Sequence, residues 1–146
     1  MASIPDEPLL DDEIAKYLAA QGLGNLFSAA VKPRDEFTIF VGEEPERQNK
    51  TITVSEIGGN PPINTFGENR SFSIRTRSQT YKEAKATAQR IHRALHYEQG
   101  ILEPAILVAL ITADTNPVPL GRDDNRRYVF TQTFTAIVKT LQPLSP

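Results

Sequence analysis

The chain has 146 residues, a formal net charge of −2, no cysteine and two histidines. That length fits one domain, able to bury about two thirds of its extended surface without a covalent staple. The missing thiols exclude disulfide scaffolds, thiol nucleophiles and thiolate metal sites; two histidines exclude a three-histidine metal centre.

No apolar run approaches the roughly 20 residues a membrane span needs. The opening Met1–Asp6 is acidic where a secretion signal is basic, so a soluble, cytosolic-type protein with no membrane partner is expected. The overall charge argues against a generic nucleic-acid binder, yet it hides an asymmetry. Residues 1–13 hold five acids and no base, leaving the remainder at +3. Arg70–Arg93 holds seven bases and one acid, Glu83. That strip is either a solvated strand and helix face or a positive surface for an acidic partner.

In chain order, residues 1–9 form an acidic, proline-rich arm. Asp11 or Asp12 is placed to cap a helix in which Leu10, Ile14, Tyr17 and Leu18 recur at helical spacing, ended by Gly22. Residues 36–41 (EFTIFV) predict a strand, Glu43–Lys50 a polar loop or hairpin tip, and Thr51–Ile57 a second strand. Gly58, Gly59, Pro61 and Pro62 predict a break, because this group cannot continue a central ladder. Ser71–Ser78 alternates, with Phe72, Ile74 and Thr76 on a buried face and Ser73, Arg75 and Arg77 on a wet, basic one.

Thr80 and Glu83 fit a capping box ahead of a helix whose Tyr81, Ala84, Ala88, Ile91 and Leu95 make one stripe. Ile101–Thr112 predicts one strand, buried on both faces over Ile106–Ile111. Thr115–Gly121, with Pro117 and Pro119, predicts a turn or crossing loop. Arg127–Lys139 predicts a last strand, longer than usual, that bends or projects past the sheet. The expected architecture is α+β, in the order α-β-β-β-α-β-β. It has two layers: a mostly antiparallel sheet of about five strands covered by the long helix, plus a short N-terminal helix. One domain spans 10–140, and 141–146 is a tail.

Chemistry is sparse. His92 and His96 have the spacing of metal-binding helices, but Arg93 stands where that motif needs a glutamate, and Arg90 is close. Asp123 and Asp124 are flanked by Arg122, Arg126 and Arg127, the pattern of a charge-balanced loop. No nucleophile elbow or phosphate loop occurs. No catalytic, metal or cofactor residue is assigned, and an enzyme is not expected.

The order and spacing of several segments carry a resemblance over about residues 10–140. They are DDEIAKYLAAQGLG at 11–24, FTIFVGEEP at 37–45, Gly58-Gly59-Asn60-Pro61, ENRSFSIRTRS at 68–78 and YKEAKATAQRIHRAL at 81–95. Pro119-Leu120-Gly121-Arg122-Asp123 and RRYVFTQTFTAIV at 126–138 complete the series. The chain resembles the small tail terminator proteins of long-tailed bacteriophages, also called minor capsid or head–tail joining proteins.

The resemblance implies a non-enzymatic virion subunit at the tail–neck junction, assembled in the host cytoplasm. It implies a ring, a hexamer, seated on the last tail-tube ring. The ring stops tube polymerisation, meets the neck or head-closure protein, and passes double-stranded DNA through its lumen without sequence reading. Ring-to-ring contacts are expected at Glu43, Glu44, Glu46, Arg47, Asn60, Asn64, Arg122, Asp123, Asp124 and Arg126. Contacts between subunits are expected at Asp11, Asp12, Arg75, Arg77, Arg90 and Arg93, with Arg75 and Arg77 meeting acids of the 6–13 segment next door. A different neck component, such as a head-closure or adaptor protein, is the alternative. A small ligand-binding or catalytic domain with a pocket near His92, His96 and Asp123 is a third.

Overall fold

Both helices lie on one face of a single sheet, packed on the inward-facing apolar residues of its strands, such as Ile52 and Val54, Phe72 and Ile74, and Phe134, Ala136 and Val138. The computed structural model describes residues 10–28, 36–64, 67–99, 101–102 and 106–140; the expected arm at 1–9 and tail at 141–146 lie outside them. The elements are α1 (Leu10–Ala20), β1 (Asn25–Leu26), β2 (Thr38–Val41), β3 (Thr51–Asn64), β4 (Gly67–Ser78), α2 (Tyr81–Leu95), β5 (Ile101–Leu102), β6 (Ile106–Ala113), β7 (Val118–Arg122) and β8 (Tyr128–Thr140). Seven strands run in the order β1-β2-β3-β4-β8-β6-β5, and β7 also pairs with β8. The α+β class and the antiparallel centre stand as expected; the strand number does not.

The core joins Leu10, Ile14 and Leu18 of α1 and Ile91 and Leu95 of α2 to inward residues of β2, β3, β4, β6 and β8. At its centre Phe72 and Phe134 stack with ring centroids 5.3 Å apart, both fully buried. Burial of each such side chain is worth about 1.5–3 kcal/mol. Ala84 and Ala88 are small enough to let α2 settle on Phe130. Thr80 caps α2, accepting the Glu83 N–H. Tyr81, placed on the buried stripe by its spacing, is instead 45 % exposed, leaning its ring on Phe130 and Tyr128.

Asp11, Asp12 and Glu13 fill the first turn of α1, where their charges complement the positive end of the helix dipole, rather than capping it. It ends where Gly22 takes φ +77°, a conformation strained for a side-chain residue.

Several expectations fail for physical reasons. β2 and β3 are parallel, pairing Thr38 with Thr51, so residues 42–50 are a crossover and not a hairpin tip. β3 does not break at Gly58 but continues to Asn64, with register shifts after Glu56 and Asn60. It tolerates Gly and Pro because β2 pairs only as far as Val54, leaving an edge beyond. The Ile101–Thr112 run is two strands, β5 and β6, paired antiparallel. Nor is β6 buried on both faces, since Ala109 is exposed. A bulge between Val108 and Leu110 switches its inward parity, so that Val108 and Ile111 both face the core.

Residues 118–122, expected as a loop, form the edge strand β7, where Pro119 interrupts no central ladder. β8 does not overhang. Its 13 residues serve two partners on one edge, β7 over 128–131 and β6 over 134–140, while β4 takes the other.

Candidate assembly interface

The polar loops sort to two opposite ends of the sheet. At one end lie the start of β3, the end of β4, the 42–50 crossover and the β7–β8 turn. At the other lies the β3–β4 hairpin. Thr51 and Asn60 of β3 are nine residues apart, about 30 Å of extended strand.

The first end is built around two buried arginines. Arg77, on the face away from the helices, is 3 % exposed. The alternation had assigned it to a wet face; in the structure the crossover folds down over it. Its guanidinium donates to Glu44 Oε1 at 2.6 Å and to the carbonyls of Pro45 and Gln48. Arg127, 4 % exposed, donates to the carbonyls of Glu46 at 2.6 Å and Gln48 at 3.0 Å. Its Nε donates to Asp123 Oδ2 at 2.9 Å.

Two guanidinium forks thus satisfy the crossover's inward carbonyls, which would otherwise be buried without partners. Burial pushes the Arg77 guanidinium down, Glu44 opposes that, and Arg127 adds to it. For Asp123, burial alone would raise the carboxyl. Hydrogen bonds from the Arg127 backbone and side chain and from the Asn125 N–H outweigh it, and the net shift is downward.

The expected ring-to-ring residues divide accordingly. Glu43, Glu46 and Arg47 are exposed on the crossover, while Glu44 is held beneath it by Arg77 and by Arg75 at 3.0 Å. Asp124 and Arg126 are exposed on the turn; Asp123 is taken by Arg127; Arg122 lies over the Tyr128 ring. Asn60 and Asn64 belong to β3 at the opposite end. Arg127, held by Asp123 and bonded to the Glu46 and Gln48 carbonyls, therefore ties the crossover and the β7–β8 turn into one platform, while the β3–β4 hairpin lies at the other end. Arg127, passed over in the sequence as one base in a charge-balanced turn, is the residue that joins them. The signal was present: Asp123 and Arg127 stand four apart with a turn between.

Among the expected subunit contacts, Arg75 is half-exposed, and Arg90 and Arg93 are exposed on α2. Asp11 lies near the Arg70–Glu56 pair, whose Nε–Oε1 distance is 2.5 Å, and burial pushes its carboxyl up. Asp12 is partly exposed beside it. Arg77 has both terminal nitrogens bonded within the chain, while its Nε is buried without a hydrogen-bond partner.

Among the described residues no group of three or more His, Asp or Glu side chains is arranged to hold a metal ion. The His92 and His96 rings lie 5.3 Å apart; His96 Nδ1 accepts the Ala113 N–H at 2.9 Å, and His92 Nδ1 is buried without a hydrogen-bond partner. Asp123 is engaged elsewhere, so the pocket drawn from these three residues is not assembled.

Residues 17–140 match the family model described as bacteriophage tail terminator protein. The chain belongs to that family. A tail terminator is a structural virion protein of the tail–neck junction, related to the head–tail joining proteins of tailed phages and not an enzyme. No curated protein sequence matches the chain. The fold is similar to a chain in the structure titled "Virion of native gene transfer agent (GTA) particle". That likeness has a TM-score of 0.50 and 15 % identity, covering 68 % of this chain and 77 % of the other. At that identity it speaks to fold alone.

Proposed function

We propose that this tail terminator closes into a hexameric ring on the last ring of the tail tube, ends tube polymerisation, and offers its other face to the neck. Double-stranded DNA passes through the lumen. The observation that carries this is the segregation of polar loops to two ends of the sheet, about 30 Å apart. A collar between two dissimilar neighbours needs two dissimilar faces. The platform of Glu46, Arg47 and Asp124 is one, held by Arg77 and Arg127; the β3–β4 hairpin with Asn60 and Asn64 is the other. Arg75, Arg90, Arg93, Asp11 and Asp12 are proposed to serve contacts between neighbouring copies.

Light scattering at two salt concentrations, with negative-stain images of the same sample, tests the closed form. Rings of six subunits are expected. Protein that remains monomeric both alone and on purified tube ends would overturn the ring, and binding to the portal side in place of the tube would point to a head-closure or adaptor role.

A further inference from the structure

The sheet ends in two unlike edges. Among the described residues no strand lies beyond β1, where Leu26 is 43 % and Phe27 53 % exposed, the latter stacked on Phe40 with centroids 5.0 Å apart. Among the described residues the surroundings are acidic. Asp12 and Glu43 line the hollow beside these rings, and neither has an ion-pair partner among the described residues. Lys16, the cation of that hollow, is taken by Glu13 at 3.4 Å.

On the far edge of β8, where β6 and then β5 continue the sheet beside residues 134–140, β7 flanks residues 128–131 as a second outer strand; it is exposed at all five positions, and its Val118 and Leu120 present apolar surface. A bulge at Gly121, φ +84°, turns the strand's end outward to Arg122. Here the surroundings are basic. Arg122 and Arg126 are exposed, with no ion-pair partner among the described residues. Asp123 is neutralised by Arg127, so the two guanidiniums outnumber one exposed acid, Asp124. Between β1 and β7 lie β2, β3, β4 and β8, so the two edges are separated by about 24 Å measured along the sheet.

We propose that the β1 edge of one copy docks on the β7 edge of the next, with Leu26 and Phe27 against Val118 and Leu120, and Asp12 and Glu43 facing Arg122 and Arg126. The partner is a second copy of this chain, and the assignment rests on the ring proposed above. Charge decides the geometry. Pairing β1 with β1 sets carboxylates against carboxylates, and pairing β7 with β7 sets guanidiniums against guanidiniums; both two-fold dimers are disfavoured. Only unlike edges are complementary. A head-to-tail contact of this kind generates a ring when its rotation closes.

Two double variants test the assignment: Asp12→Lys with Glu43→Lys, which makes both edges basic, and Arg122→Glu with Arg126→Glu, which makes both acidic. Each alone should associate at least about tenfold more weakly than the wild type, since like charges then meet across every contact. An equimolar mixture should restore rings of alternating copies, because each acidic edge again finds a basic one. Either variant assembling like the wild type, or a mixture of two folded variants failing to assemble, would overturn the proposal. A wild type that forms no ring even on tube ends contradicts the ring itself. Because the chain has no cysteine, a Leu26→Cys/Leu120→Cys variant gives a second readout independent of charge. Oxidation should give covalent ladders up to six copies from the double variant and none beyond dimers from either single one; absence of the ladder in assembled rings would refute the edge contact.

Discussion

Replacing Arg77 by Met removes a buried fork while keeping most of the side chain's volume. Three acceptors lose it: Glu44 Oε1 and the carbonyls of Pro45 and Gln48. They are not equally exposed to the loss. Glu44 keeps an ion pair from its other oxygen, Oε2, to Arg75 at 3.0 Å, which preserves the charge pairing but not the bond to Oε1; the Gln48 carbonyl keeps Arg127 at 3.0 Å, whereas the Pro45 carbonyl has no other donor among the described residues. One stranded carbonyl costs about 1–3 kcal/mol. Breaking a buried charge pair costs about 3–5 kcal/mol when nothing replaces it. Partial replacement by Arg75, and relief of repulsion from Arg127, place the expected loss near 3 kcal/mol. In urea, with a slope of about 1–3 kcal/mol/M, the midpoint should fall by about 1 M or more at unchanged slope. Amide exchange across 43–50 should quicken before global unfolding. Arg75→Ala is the control: half-exposed, it should cost no more than about 1 kcal/mol. An Arg77→Met loss below about 1 kcal/mol, or one equal to that of Arg75→Ala, would refute the clamp.

Asp123→Asn should destabilise the protein at neutral pH, and the difference from wild type should shrink as pH falls. The Asp123 carboxyl is held below its ordinary 3.8, so its contribution is complete above that value and fades as pH drops through it. Acid titrations of both proteins followed by circular dichroism check this. Gln132 donates to the Ala88 carbonyl at 2.9 Å, but its Oε1 is buried without a partner. Gln132→Met should therefore leave stability within about 1 kcal/mol of wild type, in contrast to the usual cost of deleting a buried hydrogen bond. Ala88→Leu should cost about 1–3 kcal/mol by lifting α2 from Phe130, read from the thermal midpoint.

What was legible in the sequence is what local periodicity controls. Helix α2 and its cap were readable because Thr80, Glu83 and a stripe at steps of three and four agree with one another. Helix α1 was readable by the same spacing. Strand pairing was not, because periodicity carries no partner. The parallel β2–β3 step looks like a hairpin in a polar loop nine residues long, and nothing in 42–50 announces that two arginines, one from β4 and one from the turn before β8, will hold it. Proline misled twice in the same manner. Pro61 and Pro119 argue against central strands, and both sit on edges, where that argument does not apply. Arg77 shows the limit of alternation: period two says which face a residue takes, and only the chain's later course says whether that face stays wet. The exposed apolar residues Leu26, Phe27, Val118 and Leu120 were unreadable as a surface for the same reason, since they meet solvent only once the sheet order is known.

The central claim is that this tail terminator stops a tail tube by sitting on its end. Purified tube subunits polymerising in the presence of increasing amounts of the protein, with tube lengths measured by electron microscopy, test it most directly. Shorter tubes capped at one end, with six copies per cap, are predicted. Unchanged tube lengths, or protein bound along the tube wall and absent from its end, would contradict it.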